Sequence, residues 1–346
     1  MRNRNVETRQ VSNGGGLSPA GTTVSVDKLR ARLRASARNQ TFVVWLLVLA
    51  SIALSGLASP SFPSVRFVQG VLTLGLFLVI IAFGQGLAIL TGGFDLSVPA
   101  IVALAAYSTG YLSSTGLPTL IAIAIALILA ATVGALNGLL VAKTGFPPFI
   151  ITLAVGSIVA SLLLGFSQTT APAQKSPDIL TAIFAGHHAF LDIPLPIWIL
   201  VAVVALATWV QNGTTFGRYA YALGNSVRAA QIIRLPVTRS IIMTYLTAAV
   251  FYGIGGMMLL GYGSGADLNI GSAWLLPSIA AVVVGGSSIK GGSGSYLGTV
   301  GGALLLTVID IDIRAVGLAE GYRQALYGIL ILLALLGARV AAAKRA

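Results

Sequence analysis

The stretch LIAIAIALILAATVGALNGLLV, residues 120–141, holds no charged side chain. A helix needs roughly 20 mostly apolar residues to cross the hydrocarbon core. Backbone polar groups there must bond within their own segment, which makes the span a helix. The rest of the chain agrees with this reading. Of its 346 residues only 9% are charged and 56% are hydrophobic, against about 25% charged in a soluble domain. Mean hydropathy is +0.92. Soluble, disordered, collagenous and disulfide-stapled classes fail on composition. Zero cysteines exclude disulfides, thiolate catalysis and Cys-ligated metals. Forty-one glycines suit membrane helices, which tolerate Gly better than soluble ones.

Working outward, ten segments are apolar enough to be spans: 42–58, 67–91, 96–114, 118–142, 148–167, 195–211, 241–262, 275–290, 295–313 and 322–341. The third and eighth are the weakest, because Pro99 and Gly110 interrupt one and Pro277, Gly285 and Gly286 the other. The expected fold is therefore an all-α integral membrane protein, polytopic, with about ten transmembrane helices, some of them broken. Residues 1–40 form a basic tail, expected to be disordered and to end in a short interfacial helix bearing Leu29 and Leu33. The membrane domain is 41–341, and 342–346 is a second short tail.

The formal charge of +12 could suggest nucleic acid. Its distribution says otherwise. Placing the N-terminus in the cytoplasm and alternating through ten spans puts 17 of the 21 basic residues inside. They are the eight of 1–40, Lys143, Arg218, Arg228, Arg234, Arg239, Lys290 and the three of the C-terminal end. Arg66, Lys175, Arg314 and Arg323 stay outside, with six of the nine acids. This is the positive-inside pattern. Both termini are expected in the cytoplasm, near anionic lipid, and no nucleic-acid partner is expected.

Three motifs stand out. Thr91-Gly92-Gly93-Phe94-Asp95-Leu96-Ser97-Val98-Pro99 joins the second and third spans. A lone carboxylate in so apolar a stretch is costly and usually functional. Gly92 and Gly93 permit a backbone break, and Asp95 or Ser97 is expected to cap the next helix, with Pro99 in its first turn. Gly285-Gly286-Ser287-Ser288-Ile289-Lys290-Gly291-Gly292-Ser293-Gly294-Ser295 repeats the theme between spans eight and nine. Paired breaks suggest an internal repeat, a feature of transporter folds. The phosphate-loop pattern of two glycines four residues apart followed by Lys-Ser/Thr is absent from the sequence. The third motif lies in the loop 211–240, the longest between cytoplasmic span ends. It holds Gly217, Arg218, Tyr219, Tyr221, Gly224, Asn225, Arg228, Ala229 and Ala230, and no acid. Its small residues suit a short helix packed closely on a partner. His187 and His188, adjacent in an outer loop, converge poorly on a metal. Asp310 and Asp312, close to Arg314, read as interfacial anchors. No Ser/His/Asp set, no paired intramembrane carboxylates and no zinc spacing point to an enzyme.

Taken together the motifs resemble the ribose-type, simple-sugar permease subunits of bacterial ABC importers, in the superfamily that also holds branched-chain amino-acid permeases. The resemblance runs over about 42–340. It rests on Gly92 to Pro99; on Asn137-Gly138 leading to Pro147-Pro148-Phe149-Ile150-Ile151-Thr152-Leu153; on Phe216 to Asn225 followed by Ala229-Ala230; and on Gly285 to Ser295. Three places depart from the family's usual text. Pro99 replaces a Gly, Arg228 stands where an acid is usual, and Ile232-Ile233-Arg234 replaces Leu-Ser-Gly. The resemblance implies a multi-pass protein of the bacterial inner membrane, working with a second permease copy or a paralogue. A periplasmic binding protein would deliver a sugar, and a separate ABC ATPase would hold ATP and magnesium, leaving no cofactor in this chain. The loop residues named above would couple to that ATPase. Gln85, Gly92, Gly93, Asp95, Ser97, Asn137, Gly285, Gly286, Ser287 and Ser288 would serve the translocation path or its gating. Other cargoes fit the same architecture: a branched-chain amino acid, a nucleoside or a furanosyl signal molecule. An ion-coupled secondary transporter would need a buried carboxylate relay, for which only Asp95 offers itself.

Overall fold

The computed structural model describes residues 26–57, 62, 64–170, 173–185 and 189–343. The chain forms two units, 1–36 and 37–346. The first contributes the start of helix α1, Val26–Leu54. The segment 26–40, expected as the end of a tail with a short helix bearing Leu29 and Leu33, is helical throughout and continuous with the first span; residues 1–25 and the histidines at 187–188 lie outside the described residues.

The second unit is a helical bundle. After α1 come α2 (Val65–Leu90), α3 (Val98–Ser114), α4 (Thr119–Thr144) and α5 (Pro148–Gln168). A short strand β1 (Ala173–Lys175) and helix α6 (Asp178–Phe184) follow, then a small hairpin of β2 (Ala189–Phe190) and β3 (Ile193–Pro194). Helices α7 (Leu195–Gly213), α8 (Thr215–Asn225), α9 (Val227–Ile232) and α10 (Val237–Tyr262) continue the chain. Strand β4 (Gly265–Asp267) pairs antiparallel with β1, setting Ala173 opposite Asp267. Helices α11 (Leu275–Val284), α12 (Tyr296–Ala315) and α13 (Glu320–Ala343) complete the fold.

All ten expected spans fall on helices. Among the described residues seven helices are long and apolar enough to cross a membrane, and the chain is a multi-pass membrane protein. The two segments that looked weakest form the shortest of the ten helices. Helix α3 has 17 residues, and α11 has 10 and stops at Val284 rather than at 290. Burial explains how these short pieces persist. Helix α2 is buried on all sides from Gly75 to Leu90 apart from Gly86, and α11 is buried from Pro277 to Val283. Helices α4, α5 and α7 instead leave Leu, Ile and Val side chains exposed, among them Leu120, Ile128, Leu153, Leu162, Val201 and Leu206. In lipid such a face costs nothing. The fold is therefore a core of α2, α3, α10, α11 and α12 with apolar helices around it.

Small residues let the core helices approach closely. A Cβ on Gly134 of α4 would lie 2.4 Å from the Tyr245 carbonyl of α10, and one on Gly256 of α10 would lie 2.3 Å from the Val102 carbonyl of α3. Backbone cannot rotate out of the way, and overpacking of this kind costs about 1–3 kcal/mol. Gly256→Ala is therefore expected to lower the thermal midpoint of the purified protein by several degrees, read by size-exclusion after heating. An unchanged midpoint would mean that α3 and α10 are not in close register.

Candidate functional site

The two helix breaks have the same geometry. At the end of α2, Gly92 adopts φ +85°, its N–H donates to the Ile89 carbonyl at 2.9 Å, and the Gly93 N–H donates to the Ala88 carbonyl at 3.0 Å. At the end of α11, Gly286 adopts φ +88°, its N–H donates to the Val283 carbonyl at 3.0 Å, and the Ser287 N–H donates to the Val282 carbonyl at 3.1 Å. Both are Schellman caps, which satisfy the last carbonyls of a helix through a residue in the left-handed region. Glycine meets that region without the Cβ penalty. The next helix of each set ends in the same way. Gly116 after α3 and Gly317 after α12 both have positive φ, and each is followed by a Leu that closes the second bond. The series α2–α3–α4 and α11–α12–α13 thus carry matching punctuation, as an internal repeat requires.

Between the first cap and α3 the chain is buried and cross-braced. Ser97 donates to Asp95 Oδ1 twice, through its N–H at 2.9 Å and its hydroxyl at 2.5 Å. The Asn137 amide of α4 donates to Ser97 Oγ at 2.8 Å. Thr152 of α5 accepts from the Leu96 N–H at 2.9 Å and donates to the Phe94 carbonyl at 3.2 Å. Asp95, Ser97, Asn137 and Thr152 are all 0% exposed. Of the two expected caps, Asp95 accepts the Ser97 N–H, whereas Ser97 precedes α3 in a helical rather than extended conformation and makes no capping bond. Pro99 does stand in the first turn. It lacks an N–H, which removes one of the two donors a cap at Ser97 could use, and the Ser97 hydroxyl donates to Asp95. Among the described residues, Asp95 Oδ2, Asn137 Oδ1, Gln85 Nε2 and the Tyr245 hydroxyl have no hydrogen-bond partner. Gln85 Oε1 accepts from Tyr252 at 3.3 Å.

The third motif folds as the two short helices α8 and α9. Thr214 caps α8 by accepting from the Gly217 N–H, and Ser226 caps α9 by accepting from the Ala229 N–H. Both are ordinary N-caps. Ala220, Leu223 and Ala230 are buried, whereas Arg218, Asn225, Arg228 and Ala229 are exposed, together with Val227, Ile232 and Ile233. Tyr219 is partly exposed. Two glycines seat α8 against its neighbours. A Cβ on Gly217 would lie 1.9 Å from the Gln211 carbonyl of α7, and one on Gly224 would lie 1.9 Å from the Leu90 carbonyl and 2.3 Å from the Gly292 nitrogen.

These close approaches bring together what the sequence separates by up to 200 residues. Leu90 ends α2, Gly292 lies in the second break, and the Gly292 N–H donates to the Leu90 carbonyl at 2.9 Å. The Asn225 amide donates to the Gly292 carbonyl at 3.1 Å, and the Tyr221 hydroxyl donates to the Gly294 carbonyl at 2.8 Å. Gln211 Nε2 donates in turn to the Tyr221 oxygen at 2.8 Å. Burial pushes the Tyr221 phenol up from its ordinary value, against the opposing effect of the Gln211 bond, so the hydroxyl keeps its proton. Ser287 lines a small cavity with Gln211, Leu90 and Tyr296, and Ser288 closes the second break by donating its N–H to the Ser293 carbonyl at 2.9 Å. Gly285 is packed on Gly298, whose added Cβ would meet the Gly285 carbonyl at 2.1 Å. The sequence does not single out Gln211 or Tyr245, since a lone Gln or Tyr in a span has no local signature, and it shows Thr152 only as one letter of the Pro147–Leu153 motif, with no role attached. At the far end of the bundle, Asp310 pairs with Arg314 at 2.9 Å and with Arg323 at 2.7 Å.

Comparison with known proteins bears on this arrangement. Residues 67–335 match the family described as branched-chain amino acid transport system, permease component. The ribose import permease RbsC of Escherichia coli K12 is 31% identical over 91% of this chain and 98% of its own. The fructose import permease FrcC of Rhizobium meliloti is 31% identical over 89% and 87%. The autoinducer 2 import system permease LsrD of Photorhabdus laumondii is 30% identical over 86% and 90%. No solved structure matches the chain. With the family matched across most of its length, and with relatives of this closeness aligned nearly end to end, the chain belongs to the branched-chain amino acid transport system permease components, a family of the ABC permease superfamily and not of enzymes.

Proposed function

We propose that this chain is the transmembrane permease subunit of an ABC importer for a simple sugar, carrying it to the cytoplasm at the expense of ATP hydrolysed on a separate subunit. The observation that carries this reading is the junction of α8 with the second break and with the end of α2. A surface helix bonded through Tyr221 and Asn225 to the second break, and packed at Gly224 on the end of α2, can turn a partner's motion into a change in the membrane helices. The ATPase docks on the exposed side of α8 and α9, where Arg218, Asn225 and Arg228 lie beside the apolar Val227, Ile232 and Ile233. ATP and magnesium sit on that partner. The distribution of basic residues supports a cytoplasmic position for this face and for both termini.

A sugar-binding protein delivers cargo at the opposite face, where β1, β4 and the end of α10 frame an open cleft of about 820 Å³ with Gln174, Tyr262, Asp267 and Asn269 on its walls. A second permease copy or a paralogue completes the pore. An uncharged cargo accords with spans that hold almost no Lys or Arg, and the relatives named for ribose and fructose point the same way. A furanosyl signal molecule is the second reading, favoured by the likeness to an autoinducer 2 permease.

Reconstituted in liposomes with its cognate ATPase and binding protein, the chain is expected to take up labelled ribose or fructose only when ATP is present. The chain alone under a proton or sodium gradient is expected to take up neither. Gradient-driven uptake by the chain alone would overturn the proposal.

A further inference from the structure

The two breaks share a cap but not an anchorage. The first is fixed from several sides. Its carboxylate and hydroxyl are fully buried, Asn137 holds it to α4, Thr152 holds it to α5, and Gly93 lies beneath the Tyr245 ring of α10, where an added Cβ would meet the hydroxyl at 2.4 Å. The second break, Ser287–Gly294, is partly or fully exposed throughout. Beyond the cap of α11, its hydrogen bonds are of two kinds. Some close it on itself, from Ser288 to Ser293 at 2.9 Å and from Gly291 to Ser288 at 3.0 Å. The others run to Tyr221 and Asn225 of α8 and to the Leu90 carbonyl.

We infer that the Thr91–Ser97 break is a fixed anchor and that Ser287–Gly294 is a movable strap, held in this position by α8 through Tyr221 and Asn225. Tyr221 is a positioning residue. The Gln211 amide can only donate at their contact, so the Tyr221 proton points to the Gly294 carbonyl. Gln211 on α7 therefore sets the direction of the bond that α8 makes to the strap. The inference deepens the proposed coupling and rests on it for the claim that a partner moves α8. The holding of the strap by α8 is a property of this chain alone.

Amide hydrogen exchange separates the two. The full-length chain in nanodiscs is compared with Tyr221→Phe and, as a second variant that keeps the phenol, Gln211→Met. Tyr221→Phe is expected to speed exchange across 287–294 about fivefold, the effect of one lost hydrogen bond, with 91–97 and α8 itself unchanged. Gln211→Met is expected to give a smaller increase at the same place. Unchanged exchange at 287–294, or an equal rise at 91–97, would overturn the strap. In the complete importer, ATP with vanadate is expected to alter exchange at 287–294 and not at 91–97. A strap that answers to Tyr221→Phe but not to nucleotide would uphold the inference and sink the docking reading of α8.

Discussion

Gly224→Ala is expected to reduce ATP-driven sugar uptake about tenfold or more while the chain still purifies as a folded, monodisperse protein. The added methyl has nowhere to go. Its carbon would lie 1.9 Å from the Leu90 carbonyl oxygen and 2.3 Å from the Gly292 nitrogen. Those two atoms are hydrogen-bonded to each other at 2.9 Å, so the methyl would enter the joint between α2 and the second break. Neither atom belongs to a side chain that could rotate aside. Relief requires α8 to withdraw, and withdrawal breaks the bonds of Tyr221 to Gly294 and of Asn225 to Gly292. A strained contact of this kind costs about 1–3 kcal/mol, spent locally at the surface rather than in the core. The complex is therefore expected to assemble and to hydrolyse ATP without moving cargo. Uptake and ATPase activity measured on the same proteoliposomes check this. Wild-type uptake by Gly224→Ala would mean that α8 does not act through this joint.

What the sequence makes legible here, and what it hides, follows from which atoms do the work. The spans are legible because side-chain hydropathy reports directly on lipid. The breaks are legible because a Schellman cap needs a residue with positive φ, and Gly92 and Gly286 supply it. The weakness of the third and eighth segments was already a sign of short helices. The length of the eighth was not, since Ile289 and Lys290 read as a continuation of an apolar run. The cap of α11 closes at Gly286 and ends the helix at Val284, six residues earlier than the expected end at 290. The meeting of the three motifs is hidden for a different reason. The acceptors at Leu90, Gly292 and Gly294 are backbone carbonyls, which every residue has, so no side-chain pattern announces them. Ser97 shows how local rules are overruled. Its position before a Pro-containing first turn reads as a cap, but Ser97 itself is helical, makes no capping bond and gives its hydroxyl proton to the buried Asp95 carboxyl.

That same network makes Asn137→Asp the most damaging single conservative change expected in the chain. Asn137 gives an N–H to Ser97 Oγ at 2.8 Å, and Ser97 gives its only hydroxyl proton to Asp95 Oδ1 at 2.5 Å. The order of donors is fixed: amide to hydroxyl, hydroxyl to carboxylate. An aspartate at 137 has no proton to give when ionised. It would set a carboxylate against the lone pairs of Ser97 Oγ, one residue removed from a second carboxylate, at positions that are all 0% exposed. A buried charge without a partner costs about 3 kcal/mol or more, and two like charges in one site add to it. Asn137→Asp is expected to abolish recovery of folded protein. Asn137→Ala, which removes the donor without adding charge, is expected to cost about 1–3 kcal/mol and to leave a recoverable protein with a lower thermal midpoint. The double change Asp95→Asn with Asn137→Asp returns the site to one carboxylate and one amide around the same hydroxyl. The Ser97 proton can then turn toward residue 137. The double variant is expected to recover much of the yield that the single one loses. If it is no better than Asn137→Asp alone, like-charge repulsion is not the cause, and the direction of the donors at Ser97 is what the fold requires.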